Sequence, residues 1–242
     1  MSAVEVRSTS GVAAHDGAGA LRLAIAGEEA TLRCSGALWI EREAALVVSD
    51  LHLEKGSAYA ARGQLLPPYD TAATLDRLEA EIAELRPRTL VLLGDSFHDA
   101  QATARLAPAD AVRIAHLAQG RTLVWIVGNH DAEGPGALPG ERSEAIGVGG
   151  LFLRHEPAAG PAPGEVAGHL HPCAKVVGGG GAVRRRCFLT DGRRLVMPAF
   201  GAYAGGLNAR DPAFDGLFAR PPLAAVLGRK VHPIAFASLA GD

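Results

Sequence analysis

Residues 88–95 read RTLVLLGD. Four apolar residues in a row, Leu90 to Leu93, are too few for a helix and suit a strand buried on both faces. Just upstream, TAATLDRLEAEIAELRP (71–87) sets Leu75, Leu78, Ile82 and Leu85 at helical spacing, with Asp70 or Thr71 as N-cap and Pro87 as the stop. Beyond an irregular stretch ending in RGQLLPPYD, AALVVSD (44–50) is a second apolar run. Downstream, PADAVRIAHLAQG (108–120) reads as a helix closed by Gly120, and RTLVWIVGNHD (121–131) as a third core strand. The alternation of strand and helix predicts an α/β layered fold.

Weaker signals surround this centre. LRLAIAG (21–27) and GALWIE (36–41) read as short strands, and the Gly- and Pro-rich region 132–150 as a loop. GLFLRHEP (150–157) and EVAGHLHP (165–172) read as strands with polar ends. RRRCFLTDGRRLVMPAF (184–200) reads as a hairpin turned at Asp191-Gly192, a favoured type I′ pair, and VLGRKVHPIAFA (226–237) as a last strand. Residues 1–20 are expected to be a flexible small-residue tail, and 21–242 a single domain.

Composition narrows the class. Apolar residues make up 48% of the 242 positions and charged residues 21%, an ordinary soluble balance. The longest apolar stretches are far too short to cross a bilayer, so no membrane association is expected, and the N-terminus lacks a signal-peptide pattern. Cys34, Cys173 and Cys187 form neither a disulfide framework nor a zinc spacing, which favours a reducing cytoplasm. A net charge of −2 gives no global attraction for a polyanion. A phosphate substrate would need positive charge from a bound metal or a confined patch.

Five apolar runs end in a polar group able to hold a metal: Asp50 and His52, Asp95, Asn129 and His130, His155, and the pair His169 and His171. Ligands bind beyond the carboxyl ends of strands in open α/β sheets. Singly, each residue has an ordinary reading. An Asp behind a strand caps a turn, a lone histidine is a hydrogen-bonded core residue, and Asn129 after Gly128 is a turn former. An HxH pair in a loop is common, although on an extended backbone His169 and His171 would share one face. The joint pattern carries the weight. Oxygen and imidazole ligands without thiolate suit Mn²⁺, Fe²⁺ or Zn²⁺. Seven candidate ligands exceed the needs of one ion, so two are expected, and two ions about 3.5–4 Å apart clamp a phosphate and activate water.

SDLH, LLGDSFHD, VGNHD, LRHEP and AGHLH, in that order over residues 49–171, resemble the signature of the calcineurin-like metallophosphoesterase superfamily. The resemblance implies a four-layer α/β sandwich of two mixed sheets flanked by helices, with the metals at the strand ends. It implies one ion, most simply Mn²⁺, on Asp50, His52, Asp95 and His171. A second would sit on Asp95, Asn129, His155 and His169, with Asp95 bridging. His130 would act on the leaving-group oxygen, with Asp131 orienting it. SDLHLEKGSAYAARGQLLPPYDT and MPAFGAYAGGLN look like the PdeM-type ligase-associated DNA damage response endonucleases within that superfamily. One nuclease branch has a histidine at the position of His98, which implies a substrate or supporting contact there; a surface loop histidine is the alternative. Glu54 departs from the pattern, since many members carry glycine there.

The resemblance implies metal-dependent hydrolysis of phosphodiesters: a DNA endonuclease or phosphodiesterase in DNA repair, with a DNA ligase and a helicase as partners. Two alternatives stand beside it, a small-molecule phosphodiesterase or pyrophosphohydrolase acting on a nucleotide or lipid precursor, and a non-catalytic scaffold. Lys55 and Arg62 are candidate phosphate contacts, with a solvent-facing role as the alternative. Arg184, Arg185, Arg186, Arg193 and Arg194 form a basic hairpin that could track a nucleic-acid backbone, although a solvated strand pair is the simpler reading.

Overall fold

The structure, a computed structural model, describes residues 14–64 and 66–242. Sheet one has eight strands in chain order: β1 (Ala14–His15), β2 (Leu21–Ile25), β3 (Glu28–Leu32), β4 (Leu38–Ile40), β5 (Ala45–Val48), β6 (Thr89–Leu93), β7 (Thr122–Ile126) and β8 (Glu141–Ser143). Its first half is an antiparallel meander, and β5 to β8 run parallel. The helices α1 (Lys55–Ala61), α2 (Asp70–Leu85), α3 (Ala102–Arg105) and α4 (Pro108–His116) fall in the crossovers that parallel pairing requires.

Sheet two is built from β9 (Ala145–Val148), β10 (Leu151–Arg154), β11 (Glu165–Ala167), β12 (Cys173–Gly178), β13 (Gly181–Thr190), β14 (Leu195–Val196), β15 (Leu223–Val226) and β16 (His232–Ala235). Its order is β16-β15-β13-β14-β11-β10-β9, with β12 paired to the outer half of β13. β10, β11 and β14 are parallel and the other pairs antiparallel, so both sheets are mixed.

The apolar residues sort into three layers. Leu38, Val47, Val91, Leu93 and Ile126 meet Leu153, Val166, Phe188 and Met197 between the sheets. On the outer face of sheet one, Leu75, Leu78, Ile82 and Ile114 of the helices cover Leu46, Leu90, Leu92 and Trp125. Each such leucine or isoleucine contributes about 1.5–3 kcal/mol by leaving water. On the outer face of sheet two the cover comes from short 3-10 turns and the C-terminal segment, with Phe214, Leu217 and Leu239 over Leu189 and Val196. The α-helices therefore lie on the sheet-one side.

Several local expectations are corrected. β1 pairs with β2 and Ala20 is buried, so the expected tail through residue 20 runs too far; residues 1–13 lie outside the described residues. The stretch 132–150 contains β8 and β9, an edge strand of each sheet, where one-sided burial leaves little apolar pattern. α2 begins at Asp70 with Tyr69 as its N-cap, because the Asp70 carboxylate accepts the Gly56 N–H of α1 instead. The turn between β13 and β14 spans residues 191–194 and only Gly192 has a positive φ, so it is not type I′. Asp191 Oδ1 accepts the N–H groups of Arg193 and Arg194 there.

The arginine hairpin also comes apart. Arg194 is 1% exposed, with Nη2 2.6 Å from the buried Glu165 carboxylate and further bonds to carbonyls of Ala158, Gly160 and Leu217. It is a core ion pair. Arg193 lies at the turn end of β13, away from Arg184–Arg186 on the strand's outer half.

Candidate metal centre and its surroundings

The parallel strands β5, β6 and β7 are neighbours, as are β10 and β11. Their carboxyl ends carry the candidate ligands. Behind β5 and β6 the chain continues as two loops laddered by His52 N–H to Asp95 O (2.9 Å), Leu53 N–H to Ser96 O (2.9 Å) and His98 N–H to Leu53 O (2.9 Å). Behind β10 and β11, Gly168 N–H donates to His155 O (2.9 Å). Backbone bonds thus join the β5 end to the β6 end and the β10 end to the β11 end, while the β7 end is tied in through a side chain, His130 N–H donating to Asp95 Oδ1 at 2.9 Å.

The local backbone is strained. Nine described non-glycine residues have positive φ, and five are candidate ligands: Asp50 (55°), His52 (44°), Asp95 (45°), His169 (68°) and His171 (46°). Left-handed backbone costs an L-residue about 1–2 kcal/mol, and such residues cluster where function requires them. The extended reading of His169 and His171 is therefore corrected: β11 ends at Ala167, and left-handed turns, not strand alternation, aim the two rings. Glu54 is also left-handed (66°), which accounts for glycine at this place in the family pattern. Thr71 Oγ1 ties it down, accepting the Glu54 N–H and donating to its carboxylate, both at 2.9 Å.

Two clusters result. In the first, His171 Nε2 lies 3.0 Å from Asp50 Oδ1 and 3.3 Å from His52 Nε2. In the second, His155 Nε2 lies 3.4 Å from Asp95 Oδ1, 3.1 Å from Asn129 Oδ1 and 3.2 Å from His169 Nδ1. Asp95 joins them, with Oδ1 toward the second and Oδ2 3.9 Å from His52 in the first. Each cluster presents three donor atoms within 4.8 Å of one another.

The donors fit divalent metals by their chemistry. His155 Nδ1 faces the Leu93 carbonyl at 3.1 Å, which holds a ring proton there and leaves Nε2 as the nitrogen that would give up its proton to a metal in the second cluster. Burial pulls the His52 imidazole down to about 4, aided by repulsion from His171 and His130 and opposed by the two aspartates, so it is a neutral ligand at pH 7. Burial pushes the Asp95 carboxyl up, but hydrogen bonding and charge from His155 outweigh it and hold it at about 2. Asp50 is likewise held below the usual carboxylate range against its burial, chiefly by His171. Burial lowers His155, yet Asp95 and Asp50 lift it to about 9. Two buried carboxylates demand positive charge at this point, and without a metal histidine protons must supply it.

Glycines keep the centre open. A Cβ on Gly168 would lie 1.9 Å from Ser49 Oγ and 2.5 Å from Asp50 Oδ2, and one on Gly128 would lie 2.2 Å from Asp95 Oδ1. Ser49, which motif reading passed over, donates its hydroxyl to Asp50 Oδ2. Nothing in its residue type announces that role.

His130 lies at the mouth, 42% exposed, with Nε2 4.0 Å from Asp95 Oδ2. Its Nδ1 faces the carbonyl oxygen of His98 at 2.9 Å. The expectation that Asp131 orients this ring is corrected. The Asp131 carboxylate accepts the backbone N–H groups of Ser96 (2.7 Å), Phe97 (3.1 Å) and Gly128 (3.0 Å), locking the β6 and β7 loops together. His98 itself is at the site, its ring stacked on His130 with centroids 5.8 Å apart. Lys55 reaches the Tyr203 carbonyl (3.1 Å), while Arg62 caps the far end of α1 in solvent.

Residues 45–194 match the family of calcineurin-like phosphoesterases. The nuclease MPE of Pseudomonas putida superposes with a TM-score of 0.68 at 30% identity, over 89% of this chain and 100% of that one. The phosphoesterase Yfce of E. coli aligns at 17% identity and a TM-score of 0.38, over 79% of this chain and 98% of that one, too distant to carry an argument. Comparison with curated proteins returns no match. No described helix is long and apolar enough to cross a membrane. The family match takes in more than half of the chain and every candidate ligand, and the chain belongs to the calcineurin-like phosphoesterases, hydrolases of phosphoester bonds.

Proposed function

We propose that this protein hydrolyses phosphodiester bonds of DNA with a two-metal centre, Asp50, His52, Asp95 and His171 holding one ion and Asp95, Asn129, His155 and His169 the other. The observation that carries this reading is the Asp95 carboxylate, which turns one oxygen to each cluster. Oxygen and imidazole donors without thiolate favour Mn²⁺, with Fe²⁺ or Zn²⁺ as alternatives. When bound, two such ions supply a clamp for the phosphoryl oxygens and an activated water.

The chain's own residues do the rest. The His98 carbonyl fixes His130 with its Nε2 toward the centre, where the ring in its imidazolium form can give a proton to the departing alkoxide. Asp131 holds the loops on which Asp95, Asn129 and His130 stand. Likeness to a Pseudomonas putida nuclease over nearly the whole chain supports a nucleic-acid substrate over a small ester. We extend the proposal to DNA repair in the cytoplasm, beside a ligase and a helicase, on the motif resemblance.

The test combines Mn²⁺ titration with two substrates. Two ions per chain are expected, with hydrolysis of bis-p-nitrophenyl phosphate and cleavage of plasmid or single-stranded DNA. Activity confined to small esters would remove the nuclease reading, and a metal-loaded protein inert toward every phosphodiester would remove catalysis altogether.

A further inference from the structure

The net charge of the chain is −2, yet four arginines gather on one cavity of about 520 Å³. They are Arg77 from α2 and Arg184, Arg185 and Arg186 from β13. Among the described residues only one carboxylate answers them, that of Asp242, 3.6 Å from the exposed Arg184. Arg186 is held by carbonyls alone, with Ala199 O at 3.0 Å and Gly201 O at 2.7 Å among them. Arg77 donates to the Phe200 carbonyl, lies 4.5 Å over the Phe200 ring, and keeps a buried Nε without a partner.

Unneutralised guanidinium charge packed this way is unfavourable by itself. Burial, reinforced by the neighbouring Arg186, pulls Arg77 down to about 10. Carbonyl oxygens satisfy N–H groups but carry no net charge to balance four cations. An anion with several oxygens would do both.

Position sets the kind of anion. Segment 199–206 is a wall common to this cavity and the metal-ligating centre. Its Phe200 and Gly201 N–H groups donate to the carbonyls of Ser49 (2.7 Å) and Asp50 (3.1 Å), and a Cβ on Gly206 would meet the His171 carbonyl at 2.1 Å. Cys173, two residues after His171, lines the cavity itself. A polymer of phosphodiesters held at the centre needs cations for its neighbouring phosphates, whereas a single small ester does not.

We infer that the arginine cavity is a second anion site, binding backbone phosphates of the same DNA strand whose scissile phosphate sits at the metal centre. This rests on the nuclease reading above. The exposed pair Arg184 and Arg185 makes the outer contacts, while the half-buried Arg77 and Arg186 supply fixed charge behind them.

The test is the double variant Arg184→Ala, Arg185→Ala, both exposed and so removable without opening the core. Binding of a fluorescent single-stranded oligonucleotide is measured by anisotropy in EDTA over a salt series, beside Mn²⁺-dependent cleavage. The slope of log affinity against log salt is expected to flatten by about 1.4, roughly 0.7 for each lost phosphate contact. The ratio of DNA cleavage to bis-p-nitrophenyl phosphate hydrolysis is expected to fall about tenfold. Unchanged slope and ratio, with wild-type protein cutting DNA, would overturn the cavity alone. A wild type that hydrolyses the small ester and leaves DNA intact would overturn the nuclease reading and this one with it.

Discussion

Nδ1 of His130 stands 2.9 Å from the carbonyl oxygen of His98, and that contact decides which ring nitrogen faces the candidate centre. A carbonyl only accepts, so Nδ1 carries the proton and Nε2 is the nitrogen free to exchange one. The backbone N–H of His130 meanwhile donates to Asp95 Oδ1 at 2.9 Å. Replacing the side chain leaves that second bond in place. His130→Ala is therefore expected to lower turnover of bis-p-nitrophenyl phosphate by about 10²–10⁴ while metal stoichiometry stays that of wild type. Loss of metal by this variant, read by calorimetry, would argue against a proton-transfer role.

Asp131 makes a contrasting prediction. Its carboxyl lies above the ordinary range, pushed up by burial and by the charge of Asp95 against three backbone N–H donors. Asp131→Asn puts an amide N–H₂ among those donors and is expected to cost about 1–3 kcal/mol of stability. Turnover should fall through misplacement of the loops, with the shape of the pH–rate profile unaltered, because Asp131 touches no transferring atom. A shifted profile would return it to the proton path.

The sequence signalled the strands that matter and concealed how they end. Runs such as LVLL and LVWI were legible because burial on both faces leaves an unbroken apolar stretch, and their polar ends marked the centre. The left-handed turns at His169 and His171 were not, since histidine, although enriched in that backbone among non-glycine residues, adopts it in only a small minority of cases and tertiary contacts impose it here. Arg194 was misread for a related reason: in sequence an arginine beside other arginines looks solvated, and only the fold brings Glu165 to it. β8 and β9 escaped because edge strands need no apolar alternation.

Gly168 offers a steric test. Its φ is unexceptional, so alanine there changes shape alone, driving a methyl into Ser49 Oγ and Asp50 Oδ2. Gly168→Ala is expected to weaken the first metal by about tenfold or more, since ligand positions tolerate little displacement. Gly178→Ala is the control, its Cβ meeting nothing within 4 Å. Equal Mn²⁺ affinity in the two variants would show that the close approach does not matter.

Asp99 ties the His98 loop to the helices. Arg105 Nη2 lies 2.9 Å from each Asp99 oxygen, and Arg105 Nε donates to Ser57 Oγ at 3.0 Å. Burial raises the Asp99 carboxyl, but Arg105 outweighs it and the net shift is downward. A depressed carboxyl stabilises the fold above its unfolded value of about 3.9, and that contribution is lost as pH falls through the lower folded value. The pair is partly exposed and is worth about 0.5–1 kcal/mol after solvent screening. Asp99→Asn should thus lower Tm by about 1–4 °C at pH 7, and the difference should shrink as pH falls below about 3.9. A deficit that persists in acid would point to packing instead of charge.

Asp95 separates one shared centre from two unrelated sites. His171 belongs to the Asp50 cluster and His169 to the Asp95–His155 cluster, while Asp95 itself reaches both. If the carboxylate bridges, His171→Ala and His169→Ala should each titrate one Mn²⁺ per chain, and Asp95→Ala none with micromolar affinity. EDTA should abolish hydrolysis of bis-p-nitrophenyl phosphate in wild type and Mn²⁺ restore it. Asp95→Ala should resist that rescue by about 10³-fold, the scale expected when several kcal/mol of charge stabilisation disappear. An Asp95→Ala protein that still binds one ion tightly would mean that the clusters act separately. Retention of two ions would remove Asp95 from the metal centre, leaving its hydrogen bond to the His130 backbone and its charge beside His155 and His52 as its contribution there.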